Sequence, residues 1–378
     1  MRIAVDYTSA VYQRAGIGRY TRGLVTALAG LGGGHRFVLV VAGQDGEGEV
    51  PSDLGENLLV CRLPLSQRFW TVLWHRLRVP LPLDLFTGAV DVFHSPDYVL
   101  PPLRRGKRLV TIHDLSFLRY PEGAEPSLRR YLSTAVPRSV AEADLVLADS
   151  ESTRQDVGEL LGVRLSKVEV LYPGVGEAFR PVEDSAALTH VQELYGLSHP
   201  FLLTVGTLEP RKNIVAVLDA YAQLRRGKGF EHQLVIAGGL GWRYGGIFSR
   251  VEELSLEDSV SFLDYVPDEH LPALYSLADV LVFPSLYEGF GLPPLEAMAC
   301  GTPVVTSNSS SLPEVIGDAG LMVPAGDTSA LAEAIRMVLE DSHVRQELVS
   351  KGLSRAARFS WRDSGERLIG IYGRLCES

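Results

Sequence analysis

Two glutamates frame a glycine-rich stretch in the second half of the chain. Glu288 stands directly before Gly289, and Glu296 follows after seven intervening residues that include Gly291. A glycine loop that leads into a helix presents unpaired backbone N–H groups and the positive end of the helix dipole, which together suit an anion. A carboxylate beside such a loop is repelled by the anion unless it also meets hydroxyl groups, whose hydrogen bonds a carboxylate accepts well. The stretch therefore predicts a ligand that carries negative charge together with the vicinal hydroxyls of a sugar or a ribose.

Glu296 has a second interpretation. Pro293 and Pro294 fit a first helical turn, and Gly301 fits the end of the same helix. We expect Glu296 in that first turn, where an acid complements the helix dipole by roughly 0.3–1 kcal/mol without any ligand.

A basic pair precedes a predicted helix over Ile214–Arg226. Arg211 and Lys212 stand just before its first residue. Cations at a helix N-terminus are unfavourable by roughly a few tenths of a kcal/mol each unless an anion intervenes. Glu209 can supply that anion from within the chain, whereas a bound diphosphate would match both the fork of the Arg and the point charge of the Lys.

Two polar residues, His113 and Asp114, close a predicted strand over Arg108–His113. An isolated histidine is more often structural. Ligands, however, gather at the carboxyl ends of strands in open parallel sheets. The position of His113 therefore favours a residue that faces a ligand.

Gly16 and Gly18 lie in the loop after the predicted first strand, Arg2–Asp6. They are typical either of a helix start that uses glycine for a turn or of a backbone that approaches a phosphate closely. A nicotinamide-cofactor fingerprint fails, because Thr21 occupies the place of the third glycine and no acid closes the next strand, Phe37–Ala42.

Apolar runs of strand length alternate with helical segments along both halves of the chain, which predicts α/β domains with parallel sheets. Further predicted strands are Leu58–Leu63, Asp91–His94, Asp144–Ser150, Lys167–Pro173, Phe201–Gly206, Gln233–Gly238, Ser259–Asp264, Asp279–Phe283 and Thr302–Thr306. Predicted helices include Gly18–Leu31, Leu188–Leu197, Thr328–Glu340, Ser342–Phe359 and Trp361–Cys376. A chain of 378 residues is long enough for two such domains, and Pro173–Pro200 fits a linker between them.

Gln67–Arg78 predicts an amphipathic helix with two interpretations. Phe69, Trp70, Leu73, Trp74 and Leu77 form one apolar stripe, with basic residues elsewhere around the helix. The stripe packs against the sheet in the simpler interpretation. In the alternative, the helix faces an acceptor or adsorbs to an anionic membrane surface.

Composition narrows the class of partner. A net charge of −10 argues against nucleic acid as a general partner. The three cysteines have no disulfide or metal-ligand spacing, which fits a reducing compartment. Met1 leads directly into a strand and no apolar run approaches the ~18–20 residues of a membrane span. We therefore expect a cytoplasmic protein without a signal peptide, which the amphipathic helix could hold at the inner face of the cell membrane.

The stretch E-G-F-G-L-P-P-L-E-A-M-A-C-G-T-P-V-V, residues 288–305, resembles the signature of the retaining glycosyltransferase family 4, the group 1 glycosyltransferases. The resemblance implies the GT-B architecture, in which two Rossmann-like domains with parallel sheets face a cleft. It implies an acceptor-binding domain over residues 1–173, with 361–378 packing back on it. A nucleotide-sugar-binding domain would occupy residues 174–360.

The resemblance also implies roles for single residues. His113 and Glu288 would meet the donor sugar, Glu296 the ribose hydroxyls, and Asp114 the acceptor. The implied donor-binding positions are Gly16, Gly18, Arg211, Lys212, Gly238, Val266, Gly289, Phe290, Gly291, Leu292 and Glu296.

The implied activity is transfer of a sugar from a nucleoside diphosphate sugar to a hydroxyl of a glycan or a lipid-linked saccharide, with retention of configuration. The phrases G-I-G-R-Y-T and I-H-D-L-S-F resemble bacterial mannosyltransferases, which points to GDP-mannose, with a UDP-sugar as the other donor. The sequence contains no Asp-x-Asp, so we expect no metal and no cofactor. The alternatives are a nucleotide-sugar epimerase or a phosphorylase on the same fold, and a non-catalytic nucleotide-sugar-binding protein.

Overall fold

The computed structural model describes residues 1–14, 16–43, 57–197, 200–227 and 229–377. The described residues divide into two compact units. The first comprises Met1–Leu118, Pro126–Gly174 and Ser360–Ser378, and the second comprises Arg119–Glu125 and Val175–Phe359. Arg119–Glu125 lies inside the range assigned to the first domain from the sequence but belongs to the second unit.

The first unit contains a parallel sheet that has seven strands among the described residues. The strands are β1 Arg2–Asp6, β2 Arg36–Ala42, β3 Leu58–Leu63, β4 Val92–Ser95, β5 Lys107–Ile112, β6 Leu145–Ala148 and β7 Val168–Val170. Their order is β3-β2-β1-β4-β5-β6-β7, so the direction of winding reverses between β1 and β4. The register there pairs Val5 with Leu39 on one side and with His94 on the other.

The second unit contains a parallel sheet with six strands in the part of the chain that the structure describes. These are β8 Phe201–Val205, β9 Gln233–Ala237, β10 Val260–Phe262, β11 Val280–Phe283, β12 Val304–Ser307 and β13 Leu321–Val323. The order is β10-β9-β8-β11-β12-β13, and the winding reverses between β8 and β11. The predicted α/β class with two Rossmann-like sheets is confirmed.

Helices cover the faces of both sheets. In chain order they are α1 Thr8–Tyr12, α2 Ile17–Leu31, α3 Gln67–Trp70, α4 Asp84–Thr87, α5 Ser116–Arg119, α6 Pro126–Glu142, α7 Glu151–Leu161, α8 Ser185–Tyr195, α9 Ile214–Arg225, α10 Gly245–Glu253, α11 Leu271–Leu277, α12 Leu292–Ala299, α13 Leu312–Ile316, α14 Thr328–Glu340, α15 Ser342–Ala356 and α16 Trp361–Glu377. Strands that helices cover on both faces are apolar throughout rather than alternating. In β8 and β11, for example, Leu202, Leu203, Val280 and Leu281 are all fully buried.

The last helix, α16, completes the core of the first unit. Leu368, Ile371 and Tyr372 are buried in the same cluster as residues of α2 and of the central strands. Tyr372 Oη lies 2.8 Å from Nδ1 of the buried His94, whose Nε2 lies 2.9 Å from the hydroxyl of Thr111. Burial lowers the pKa of His94 to about 3, so this histidine is a neutral structural link between α16 and the sheet.

The helix predicted over Gln67–Arg78 forms as two pieces. α3 runs into a π-helical turn, Thr71–Arg76. Trp70 and Trp74 are buried, with ring centroids 4.5 Å apart. Their indole N–H groups donate to backbone carbonyl oxygens, at 2.6 and 2.8 Å. These two residues therefore pack inside the unit, as the simpler interpretation expects.

The two ends of the predicted stripe, Phe69 and Leu77, are exposed, and Leu73 is half-buried. Phe69 and Leu77 are 42% and 67% exposed. The π-helical turn rotates these positions relative to a regular helix, so a stripe drawn at the α-helical period does not lie on a single buried face. The packing interpretation thus accounts for the two tryptophans and, in part, for Leu73.

Candidate active site

In the second unit, two charged loops leave the sheet where its winding reverses. β8 is followed by a 3-10 turn, Pro210–Lys212, which holds Arg211 and Lys212 in front of α9. β11 is followed by the loop that holds Glu288 in front of α12. Adjacent strands whose connections run in opposite directions leave a crevice at their carboxyl ends, where ligands of open α/β sheets bind.

The structure brings Glu288 together with the basic pair. Oε1 of Glu288 accepts from Lys212 Nζ at 2.6 Å, and Oε2 accepts from Arg211 Nη1 at 2.9 Å. Arg211 Nη2 also donates to Glu209 at 2.7 Å. Two acids and two bases thus form one cluster, whose formal charges cancel. Of the two anions considered for the basic pair from the sequence, Glu209 is thus in place at one edge of the Arg211 guanidinium, and a diphosphate stays a prediction.

The electrostatics of Glu288 are dominated by this cluster. Burial alone would raise the pKa of Glu288, but the charges of Arg211 and Lys212 outweigh burial and hold the pKa at about 2, below its ordinary 4.5. The charged carboxylate therefore contributes stability that is fully present above pH 4.5 and is lost as the pH falls towards 2. Near neutral pH, Glu288 is a buried anion that only accepts hydrogen bonds.

Serines from the segment before α13 fix the glycine loop. The backbone N–H of Glu288 donates to Ser310 Oγ at 2.8 Å. Ser311 Oγ lies 2.9 Å and 2.8 Å from the carbonyl oxygens of Glu288 and Phe290. Gly291 has φ +112°, in the left-handed region that glycine favours. The loop therefore reaches α12 with a defined backbone, and the sequence analysis missed the two serines that define it.

Glu296 lies in the second turn of α12 and not in the first. The helix begins at Leu292, so no acid occupies its first turn, and the dipole interpretation of Glu296 is wrong. The residue is 2% exposed, and its Oε2 accepts from the hydroxyl of Tyr275 in α11 at 3.0 Å. Pro293 and Pro294 do lie in the first turn, as predicted, and the left-handed Gly291 forms the N-cap.

Gly238 and Val266 follow β9 and β10 at the same edge of the sheet. Gly238 has φ +155°, and a Cβ on it would stand 2.0 Å from the carbonyl oxygen of Gly206. Only glycine therefore allows the loops after β8 and β9 to cross so closely. Val266 is buried, at 5% exposure.

In the first unit, His113 lies at the carboxyl end of β5 with both ring nitrogens engaged. Nδ1 is 2.7 Å from Asp149 Oδ2, and Nε2 is 2.7 Å from the carbonyl oxygen of Pro96. The rings of Tyr20 and Tyr98 meet the imidazole edge-on, with centroids 4.8 Å and 5.6 Å away. The imidazole is thus fixed in position and orientation.

Burial alone would lower the pKa of His113, but the charge and hydrogen bond of Asp149, with smaller contributions from Pro96 and Asp97, raise the pKa to about 9. Burial raises the pKa of the Asp149 carboxyl, and the charge of His113 opposes that rise. The carbonyl oxygen of Pro96 can only accept, so Nε2 carries a proton, and for the pair we favour the ionised form because the charge of Asp149 holds the pKa of His113 above neutral pH.

The other predicted residues of the first unit are Asp114, Gly18 and Gly16. Asp114 Oδ1 accepts from the backbone N–H of Ser116 at 2.8 Å, an Asx turn that starts α5. A Cβ on Gly18 would stand 1.8 Å from the carbonyl oxygen of Gln13, so packing alone requires glycine there. Gly16 has φ +46° and open space beside it, which leaves room for a ligand near its backbone.

Sequence reasoning missed two acids at this edge of the first sheet. Asp149 follows β6, and Asp97 follows β4 and accepts from Gln13 Nε2 at 3.1 Å. Burial raises the pKa of Asp97 to about 6 against the opposing charge of His113. Their places after neighbouring strands were the available signal, because the carboxyl ends of parallel strands meet at one edge. Across the described ranges, no group of three or more His, Cys, Asp and Glu residues could hold a metal ion.

Comparison with known sequences gives two family matches that together extend over most of the chain. Residues 14–178 match the model of glycosyltransferase family 4, and residues 190–355 match that of glycosyl transferases group 1. The chain is similar to an O-antigen chain mannosyltransferase B of Escherichia coli, with 35% identity over 284 residues, which span 75% of this chain and 74% of that protein.

Solved structures share the fold at low identity. A sucrose-phosphate synthase from Thermosynechococcus elongatus superposes with a TM-score of 0.78 and 23% identity, over 99% of both chains. Anabaena Alr3699/HepE, solved in complex with UDP and glucose, superposes with a TM-score of 0.76 and 17% identity, over 98% of this chain and 99% of that one. These likenesses and the two parallel sheets establish the GT-B fold. The chain is a group 1 glycosyltransferase and belongs to glycosyltransferase family 4.

Proposed function

We propose that this glycosyltransferase moves mannose from GDP-mannose to a hydroxyl of a glycan or of a lipid-linked saccharide, with retention of configuration and without a metal. The observation that carries the proposal is the cluster of Arg211, Lys212 and Glu288 on two loops at the reversal point of the second sheet. It supplies two cations for a diphosphate and one carboxylate for sugar hydroxyls. Similarity to a mannosyltransferase supports mannose as the sugar.

In this proposal, the donor rearranges the cluster. Arg211 and Lys212 turn from Glu288 to the diphosphate, and Glu288, now relieved of its two partners, accepts from hydroxyls of the sugar. As the bond between the anomeric carbon and the phosphate oxygen breaks, negative charge grows on the departing diphosphate. Fixed donors aimed at that charge stabilise the transition state. The acceptor oxygen bonds to the same face of the anomeric carbon, and its proton passes to the departing phosphate oxygen.

Metal independence rests on the absence of Asp-x-Asp from the sequence. We expect purified protein to transfer mannose from GDP-mannose to an oligomannose acceptor at a rate that excess EDTA leaves largely unchanged. The measurement is product formation by chromatography, with anomeric configuration assigned by NMR. A UDP-sugar panel is the control for the donor. Loss of turnover in EDTA that Mg²⁺ or Mn²⁺ restores would overturn the metal-free mechanism.

The same assay separates the alternative functions. An epimerase would change the donor without an acceptor, and a phosphorylase would require inorganic phosphate as a substrate. A non-catalytic binding protein would be stabilised thermally by GDP-mannose, by about 2.7 kcal/mol at 100 times the dissociation constant, and would form no product.

We further propose that the first unit contacts an anionic membrane surface at the inner face of the cell membrane. Among the described residues, no helix is long and apolar enough to span a bilayer. Around α3 and α4, exposed apolar side chains lie close to arginines. Phe69 and Phe86 both contact the ring of Trp70, with centroids 5.5 Å and 5.4 Å away. Leu77 and Leu85 are 67% and 53% exposed.

The basic charge of this surface complements anionic lipid. Arg68, Arg76 and Arg78 are exposed in the same segment, and Arg104 is bound to Asp84 of α4 at 3.1 Å. Exposed apolar side chains flanked by arginines adsorb to anionic headgroups and bury their apolar parts at the acyl boundary.

We expect the protein to sediment with vesicles of phosphatidylglycerol and phosphatidylcholine and not with phosphatidylcholine alone. Burying a large apolar side chain contributes ~1.5–3 kcal/mol. The double variant Phe69→Ser/Leu77→Ser should therefore bind roughly tenfold or more weakly. Leu194→Ser, in α8 of the other unit, is the matched control, because Leu194 is 52% exposed. Equal binding of all three proteins would refute this surface.

A further inference from the structure

The ion pair of His113 and Asp149 constrains what the histidine can do. A backbone carbonyl oxygen accepts hydrogen bonds and cannot donate, so Nε2 at 2.7 Å from Pro96 must carry a proton. Nδ1 lies 2.7 Å from Asp149 Oδ2. An ionised carboxylate can only accept a hydrogen bond, so Nδ1 is the donor in the ion pair. Both ring nitrogens then carry protons, and neither has a lone pair with which to take a proton from a substrate.

The surroundings of His113 are polar and acidic on several sides. The groups around it are Tyr20 from α2, His94 from β4, Asp97 and Tyr98 from the segment after β4, Asp114 beside it in the chain, and Asp149 after β6. His94 is neutral and hydrogen-bonded to Tyr372 and Thr111. Asp97 and Asp149 are thus the acids whose charges raise the pKa of the imidazole. Of these two acids, only Asp149 forms a hydrogen bond with it.

Asp149 is well placed to act through His113. It is 5% exposed, and its Oδ1 has no hydrogen-bond partner within the described part of the chain. A buried carboxylate that is only half satisfied is costly, and ion pairing with a cation at 2.7 Å offsets that cost. The hydroxyl of Thr153 donates to the carbonyl oxygen of His113 at 3.1 Å, which ties the start of α7, next to Asp149, to the end of β5.

We propose that Asp149 is a positioning residue that keeps His113 protonated near neutral pH, so that His113 serves the reaction as a fixed, hydrogen-bonded cation and does not act as a proton acceptor. The inference rests on the proposed function and on the place at the donor sugar that the family resemblance implies for His113. A fixed charge that needs no reorganisation stabilises developing negative charge more effectively than a mobile one. Transfer of the acceptor proton to the departing phosphate then requires no histidine base.

One alternative protonation state of His113 and Asp149 fits the same distances. A neutral imidazole protonated at Nε2 could accept at Nδ1 from a protonated Asp149. In that case Asp149→Asn would preserve the hydrogen bond, because the amide N–H of the new side chain can donate to Nδ1. In the ion pair, Asp149→Asn removes the charge that keeps the imidazole protonated.

The experiment compares pH profiles of kcat/KM for wild type, Asp149→Asn and the control Asp144→Asn. We expect the wild type to lose activity as the pH rises through about 9, as His113 deprotonates. Asp149→Asn should lose activity at a pH lower by roughly 1–3 units, the usual effect of one adjacent charge. Asp144 precedes β6 at the opposite end of the same strand and accepts from the backbone N–H of Arg108, so Asp144→Asn should keep the wild-type profile. An unshifted profile for Asp149→Asn would overturn the proposal.

A spectroscopic measurement tests the inference without relying on activity or on the folding of Asp149→Asn. The chain has 9 histidines, and selective ¹⁵N labelling of the wild type, with His113→Gln to assign its signals, reports both ring nitrogens. We expect both to have imidazolium shifts at pH 7.5. A nonprotonated Nδ1 would refute the ion pair even if sugar transfer is observed. Absence of sugar transfer with imidazolium shifts intact would refute the proposed function instead.

Discussion

Glu288→Gln should lose turnover by roughly tenfold to a hundredfold while it binds the bare nucleoside diphosphate at least as tightly as the wild type. Charged hydrogen bonds contribute about 1.5–3 kcal/mol, and the proposal places those of Glu288 on the donor sugar in the transition state. In the free protein, the same carboxylate holds Arg211 and Lys212. Removing its charge leaves both cations available for phosphate. Calorimetry with GDP and steady-state turnover with GDP-mannose check the two parts separately.

Glu296→Gln is the matched comparison within the same loop and helix. The family resemblance implies the ribose hydroxyls as its partners, so the dissociation constants of donor and of bare nucleotide should both rise, by roughly tenfold. The amide oxygen of the glutamine can still accept from Tyr275, which keeps the structural bond. If Glu288→Gln abolishes nucleotide binding and Glu296→Gln has no effect, the two assignments are reversed. If neither variant changes binding or turnover, the glycine loop is structural.

Lys212→Met should weaken binding of GDP by roughly tenfold or more, because it removes one charged donor to the diphosphate. Methionine keeps an apolar stem of similar shape where Lys212 passes the ring of Phe283, at 5.1 Å, so packing is preserved. Arg211→Ala should have an effect at least as large, since Arg211 also donates to the carbonyl oxygen of Tyr287 and so holds the loop of Glu288.

The control for this charge effect is Arg225→Met, at the opposite end of α9, where the guanidinium lies over the ring of Tyr221. It removes the same formal charge far along the helix and should leave GDP affinity unchanged. Guanosine without phosphates should bind wild type and Lys212→Met equally. Unchanged GDP affinity in Lys212→Met and Arg211→Ala would return the basic pair to a purely structural role with Glu209 and Glu288.

The fold could be predicted because buried parallel strands are apolar along their whole length. The segments that became β8 and β11 are short apolar runs bounded by glycine or proline, and such runs alternate with amphipathic helices in both halves. Helix ends were less certain. Glu296 was expected in the first turn of α12, but the helix begins at Leu292 after a left-handed glycine as its N-cap, and a π-helical turn over Thr71–Arg76 divided the helix predicted over Gln67–Arg78.

The contents of the site could be predicted better than its contacts. Arg211 and Glu288 were each identified from their position in a loop, but their ion pair joins residues 77 apart in sequence. Pairing at that separation depends on strand order, which periodicity does not report. Asp149 was missed although it directly follows a predicted apolar run, because its bond to His113 joins residues 36 apart in sequence.

The position of α16 in the first unit sets the order in which the protein can fold during synthesis. Domains usually fold from the N-terminus as the ribosome releases them. Here α2, β1 and the central strands leave the ribosome long before Tyr372, whose bond to His94 spans 278 residues. The apolar side of α2 that Trp361 and Leu368 cover must stay open until all of Val175–Phe359 has been made. The second unit can therefore fold first. Until α16 has been made, the nascent first unit keeps the apolar side of α2 exposed and open to aggregation.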